Sequence, residues 1–511
     1  MDNSKTNIGL FPQMPVCNEI LHADVSSDFT LPDYKSEIRK LISTKVKILP
    51  PKEYIGNNGA SLEGELIYKV LYIGADSSLY SATLTDKYKF DATFQFDSHA
   101  LNTDDICLNY FCECENVSTR VQGPRKLTVK SKILCKVLAL SPSLYTPELV
   151  GTHNKSSIEN QIMECPALLS RKCESEPITL TDMISIDSQI DNIRIIDTSS
   201  SVMIQECSAG LDKINIRGDV LLKILYCNDA QSDNALTMTK KLPFSTSILC
   251  EGVNNSFESS AKGVILEENV NVNENSIDIE LIMVICAYAQ KNEEIPYISD
   301  AFSTERSVTD TYEDISIIQA LKTFNSNLSH NDIFTLTEIR LDPDAKIIDC
   351  DTKARIHSLN FDNGKLILLG ECNYQVIYYL NGEHSVSELT SPLRYETDLR
   401  FTNSKQEIKS LDTLTNIVFS RARSDGEHLF IDCELNFCIS VLCKDKINLL
   451  KEVLFYDKLV KEKGTMTLCY PNNSATLWSI AKQYGEPIEK IRVKNSLSEN
   501  HDISKKKFLV I

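Results

Sequence analysis

Three stretches of this chain share one pattern, and that repeat limits the possible folds more than any other feature. They read LEGELIYKVLYIG at 62–74, IRGDVLLKILYCN at 216–228 and LLGECNYQVIYYLNG at 368–382. Each sets a glycine eight residues before a tyrosine: Gly64 and Tyr72, Gly218 and Tyr226, Gly370 and Tyr378. Other landmarks keep step. An aromatic (Phe90, Phe244, Tyr395) follows each tyrosine by 17 or 18 residues, and a second apolar run begins at Leu127, Ile277 and Leu429. Beyond that run, Tyr145-Thr-Pro-Glu and Tyr297-Ile-Ser-Asp stand 152 residues apart. A period of about 150 residues is the size of a domain, not of a solenoid turn.

Within each copy the apolar residues alternate, as in Leu62, Leu66, Tyr68, Val70 and Tyr72 against Glu63, Glu65 and Lys69. A period of two places one set of side chains on a buried face and the other toward water. The recurring glycine inside a strand pattern marks a bulge or a close backbone approach. The expected fold is therefore mainly β and multidomain, with three β-sandwich-like repeats. An N-terminal segment occupies 1–35, the repeats 36–180, 181–333 and 334–460, and a small terminal domain 461–511. The stretch 310–328 carries Ile315, Ile318, Leu321 and Phe324 at helical spacing and is expected to form a connecting helix.

Composition narrows the function. A formal charge of −18 would repel nucleic acid over most of the surface. The clearest basic run, Lys505, Lys506 and Lys507, reads as a solvated turn. No secretory signal and no long apolar span is visible, so no membrane insertion and a cytosolic location are expected. The 17 cysteines are odd in number and scattered. The nearest clusters are Cys107, Cys112 and Cys114, and Cys433, Cys438 and Cys443. Neither has zinc spacing, so they read as strand-core thiols with no metal. Phosphate-loop, nucleophile-elbow and zinc-helix motifs are all missing, and the histidines are spread through polar contexts. No catalytic residue and no cofactor is expected: the chain reads as a non-enzymatic binder.

The terminal residues change character. Met466–Tyr470 reads as a short strand and Ser474 as the cap of a helix with Leu477, Ile480, Ala481 and Tyr484 on its apolar face. Gly485 suits the left-handed position that ends it. Pro487 opens a second helix with Ile488 and Ile491 inward, and Phe508–Ile511 closes a βααβ unit.

The stretch SATLWSIAKQYGEPIEKIRVKNSL followed by FLVI resembles a LysM domain. Thr476, Leu477, Trp478, Ile480, Ala481, Tyr484, Gly485, Asn495 and Leu497 fall on matching positions. Ser474 and Ala475 replace the glycine and aspartate of the glycan-cradling loop, which shifts the expectation from sugar toward protein. The resemblance makes Ser474, Ala475, Thr476, Leu477, Trp478, Ile480, Tyr484, Asn495 and Leu497 the candidate partner- or glycan-binding residues. With the repeats, the arrangement resembles the SipL-like spore-coat morphogenetic proteins of clostridia. That likeness implies a mother-cell scaffold at the forespore surface. Its partners would be a SpoIVA-like morphogenetic ATPase, bound through the LysM domain, and other coat proteins. Binding of peptidoglycan in wall or cortex is the alternative.

Overall fold

Alternating apolar and polar side chains become strands throughout the computed structural model. It describes residues 12–96, 106–150, 157–185, 193–227, 235–273, 275–362, 365–398, 407–459, 466–472, 475–498, 503 and 506–511. These residues form twenty-two strands and three short helices. None of the helices is long and apolar enough to cross a membrane.

One strand path occurs three times. In the first unit β1 (Gln13–Thr30), β6 (Cys107–Gly123) and β7 (Lys126–Pro142) form one sheet. Strands β2 (Ile38–Ile48), β3 (Lys52–Gly56), β4 (Gly59–Gly74) and β5 (Leu79–Thr93) form the other. After the short β8 (Glu148–Val150), the second unit pairs β9 (Ile158–Ser185), β14 (Ser276–Ser303) and β13 (Glu258–Val272). Its meander is β10 (Arg194–Gly210), β11 (Lys213–Cys227) and β12 (Ala235–Leu249). The third unit pairs β15 (Arg306–Thr335), β20 (His428–Lys458) and β19 (Glu407–Ser424), with α1 (Leu336–Ile339) as a connector. Its meander is β16 (Lys346–Asp362), β17 (Lys365–Leu380) and β18 (Glu383–Asp398). Each unit encloses one apolar cluster contributed by both of its sheets, because each sheet has a single face to hide.

The recurring glycines sit in the middle meander strands, each opposite an irregularity. Bulges in β10 and β16 face Gly218 and Gly370. In the first unit, the break at Pro50-Pro51 between β2 and β3 faces Gly64. Proline cannot donate to the ladder, so one long strand becomes two short ones. A Cβ on Gly218 or Gly370 would strike the carbonyl oxygen of Met203 or Arg355, and one on Gly64 would meet the Tyr88 ring.

Two expectations are corrected. Residues 310–328 belong to strand β15, not to a helix. Residues 317–321 are buried without alternation, and a bulge falls between Ile318 and Ala320. Burial on both faces removes the period-two signal, leaving a spacing that imitates a helix. The unit limits also move, to 13–142, 158–303 and 306–458. The first strand of each unit pairs with its last, β1 with β7, β9 with β14 and β15 with β20. Such distant pairing leaves no local mark, which is why β1 falls within the expected N-terminal segment, and β9 and β15 mostly within the preceding expected repeats.

The three units close on one another. A bulge projects Ile42 from β2, Ile196 from β10 and Ile348 from β16, opposite Leu71, Leu225 and Ile377. These six residues meet in one apolar cluster. Around it the last strand of each unit's second sheet (β5, β12, β18) faces the first such strand of the next (β10, β16, β2). Ser81 donates to the Ile196 carbonyl at 2.5 Å, Thr237 to the Ile348 carbonyl at 3.4 Å, and Lys40 to Ser385 Oγ at 3.3 Å. Lys45 joins all three units, 3.2 Å from Asp351 and 3.9 Å from Asp197. Burial opposes its charge, but Asp351, Asp197 and Asp349 outweigh that and hold its pKa above the ordinary lysine range.

Candidate partner-binding module

The terminal residues form β21 (Leu468–Cys469), α2 (Leu477–Tyr484), α3 (Ile488–Lys494) and β22 (Leu509–Val510), with the two strands paired antiparallel. Ile480, Ala481, Ile491, Leu497 and Leu509 are buried between them. Thr476 caps α2: its Oγ1 accepts from Ser479 N at 3.1 Å, and Ser479 Oγ accepts from Thr476 N at 3.0 Å. The cap therefore lies two residues after Ser474, which falls outside the described residues. Gly485 takes the expected left-handed conformation, φ 60°. Pro487 is the N-cap of α3, one position before its first turn.

Most of the candidate site residues hold the module together. Ile480 and Leu497 are core, and Ala475, Leu477 and Tyr484 pack against that core half-buried. Asn495 stands in for a strand neighbour. Its Nδ2 donates to the carbonyls of Ile491 and Val510 at 2.8 and 2.7 Å, and its Oδ1 accepts from Val510 N at 2.7 Å.

Trp478 faces the body. Its Nε1–H donates to Asp300 Oδ2 at 2.7 Å, and its ring meets Phe302 edge to face, with centroids 5.1 Å apart. One turn on, Lys482 Nζ reaches Asp300 Oδ1 and Asp310 Oδ2, each at 2.6 Å. Tyr312 donates to Asp300 Oδ1 at 2.8 Å. Burial pushes the Asp300 pKa up, but bonds from Lys482, Trp478 and Tyr312 outweigh it and hold the carboxyl below its usual range. Burial disfavours the Lys482 charge, and the two aspartates more than restore it.

Sequence reasoning missed Asp300, Phe302, Asp310 and Tyr312. One signal existed: Asp300 ends the Tyr297-Ile-Ser-Asp landmark. Asp310 and Tyr312 lay within the expected helix, whereas a strand puts i and i+2 on one face, here toward Lys482 and Asp300.

With Trp478 turned inward, the module exposes another surface. Cys469 and Leu509 point into its core. Alternation turns Leu468, Tyr470 and Phe508 outward, with Tyr470 68% and Phe508 45% exposed and their rings 6.5 Å apart. Lys507 is exposed beside them. Elsewhere, Cys433, Cys438 and Cys443 are buried on β20, and Cys107, Cys112 and Cys114 are half-buried on β6; all are free thiols. Among the described residues no group of three or more histidine, cysteine or acidic side chains is placed to hold a metal. His384, though its sequence context is polar, is buried against Tyr379.

Residues 189–273 match the family described as SipL, SPOCS domain. The match spans the meander of the second unit and β13. No curated protein and no solved structure matches the chain.

Proposed function

We propose that this chain is a spore-coat morphogenesis scaffold of the SipL kind and acts by binding, not catalysis. The observation that carries the reading is the match of residues 189–273 to the SipL SPOCS domain. In this reading all three units are copies of that domain, since each follows the same strand path, and the terminal module is a LysM domain. The module docks a SpoIVA-like morphogenetic ATPase, and the body helps localise other coat proteins around the forespore. Interlocked units keep binding surfaces at fixed distances, so modest contacts combine into avidity.

The surface assigned to the ATPase is the outward face of Leu468, Tyr470 and Phe508. The chain carries −18 overall, yet from Met466 onward it has seven lysines and arginines against four acidic residues. An apolar face with the exposed Lys507 beside it suits an acidic, apolar segment of a partner. The test compares what co-purifies from sporulating cells with the full chain, with a chain ending at 459, and with a Tyr470→Ser/Phe508→Ser variant. The ATPase is expected with the full chain alone. Its retention by the shortened chain contradicts the module's role, and retention by the double variant contradicts the assigned face. Capture on peptidoglycan with no ATPase contradicts the choice of partner.

A further inference from the structure

The cleft between the first and second units has a volume of about 620 Å³ and is lined by Lys35, Lys47, Lys69, Tyr80 and Arg194, among others. Lys47 and Lys69 share Glu268, at 3.3 and 2.5 Å. Asp197 turns to Lys45, and Glu267 is exposed. Lys35 and Arg194 are different. Among the described residues neither has a carboxylate within ion-pair distance, and both are half-buried.

Both instead donate to the backbone of β5, Lys35 Nζ to the Ser81 carbonyl and Arg194 Nη1 to the Leu79 carbonyl, each at 2.9 Å. Carbonyls of alternate strand residues point the same way about 7 Å apart, so the two cations sit side by side along one edge of β5. Arg194 also lies over the Tyr80 ring, 4.8 Å from its centroid, which orients the guanidinium without neutralising it. Burial and then the charge of Arg194 hold the Lys35 pKa below the ordinary lysine range. Two like charges held together are relieved by an anion between them.

The neighbouring cleft, between the second and third units, is an internal control. Its lysines are all matched: Lys223 with Asp349 at 2.6 Å, Lys240 with Asp182 at 3.0 Å and Lys241 with Asp219 at 2.7 Å. Lys40 and Lys346 hold the register position of Arg194 in the other two units, opposite Ile73 and Tyr379 as Arg194 is opposite Cys227. A cation at that position recurs; Lys35 is what this cleft adds.

We propose that the cleft is an oxyanion site in which Lys35 and Arg194 together take one phosphate or carboxylate group. A single oxyanion accepting charge-assisted bonds of about 2.8 Å from either side spans the gap. The test titrates the full chain at low salt with inorganic phosphate and, separately, with a hexaglutamate peptide, by calorimetry and thermal melting. One-to-one binding of at least one probe is expected. Phosphate alone identifies a phosphoryl ligand, and hexaglutamate a carboxylate from an acidic peptide. Lys35→Ala and Arg194→Ala should each weaken binding about tenfold, and Lys241→Ala should leave it unchanged. Lys35→Glu supplies the anion internally, so it should raise the melting temperature of the unliganded chain and abolish the response to either probe. Failure of both probes on the unaltered chain overturns the proposal, as does binding that survives Lys35→Ala and Arg194→Ala. Loss of binding in Lys241→Ala, or a Lys35→Glu chain that melts lower or still responds, also overturns it.

Discussion

The chain contains two kinds of joint, and they are built differently. Where the three units meet, Ile42, Ile196, Ile348, Leu71, Leu225 and Ile377 form an apolar plug, with charges such as Lys45 matched by carboxylates of the other units. Where the terminal module meets the body, one aromatic pair and two aspartates, Asp300 and Asp310, carry the contact. The plug hides residues that no unit could leave in water, so the units depend on each other. The module's apolar core takes in Phe302 of the body, and the rest of the contact is made by polar groups that water could also satisfy. The first joint is mainly apolar and shared by three units, and the second rests on few groups.

The comparison can be broken at either joint. Placing a charge in the plug has the largest expected effect: Ile196→Asp should cost about 4 kcal/mol, because the carboxylate has no partner there. The shift of the main urea transition measures it, and a cost near that of a surface substitution would show that the plug does not hold the units. Trp478→Ala should cost about 2 kcal/mol of docking, from the lost ring contact and the bond to Asp300. Because α2 keeps its cap and core, proteolysis should release the module while the body stays intact. Lys482→Ala removes two ion pairs open to solvent on one side and should cost about 1 kcal/mol, read from the same cleavage rate.

Acid should produce the smallest effect. Asp300 is held below the ordinary aspartate range, so its contribution is complete above about pH 4 and is lost as the pH falls through the depressed value. Release of the module by an acid-active protease should rise over that window in the unaltered chain and stay flat in Asp300→Asn, where the titrating group is gone.

Much of the repeat was legible because it is local. Gly64, Gly218 and Gly370 each face a bulge or a break, as a glycine within a strand pattern implies. The two terminal helices and the left-handed Gly485 were legible for the same reason. What was hidden depends on distance. The pairing of β1 with β7 joins residues separated by the whole first unit, and Asp300 meets Trp478 across 178 positions. Burial on both sides disguised β15, and with it Asp310 and Tyr312. Ile480, Asn495 and Leu497 were marked by resemblance to a binding motif, yet each is occupied in holding its own domain together.

The docked module is the feature most open to direct measurement. Labels introduced through unnatural amino acids at Leu249 on the body and Val493 on the module, 71% and 76% exposed, report the distance between the two parts. The account predicts one narrow distance distribution for the unaltered chain and a broad one for Trp478→Ala. A broad distribution in the unaltered chain, or one that stays equally narrow in the Trp478→Ala chain, would contradict it.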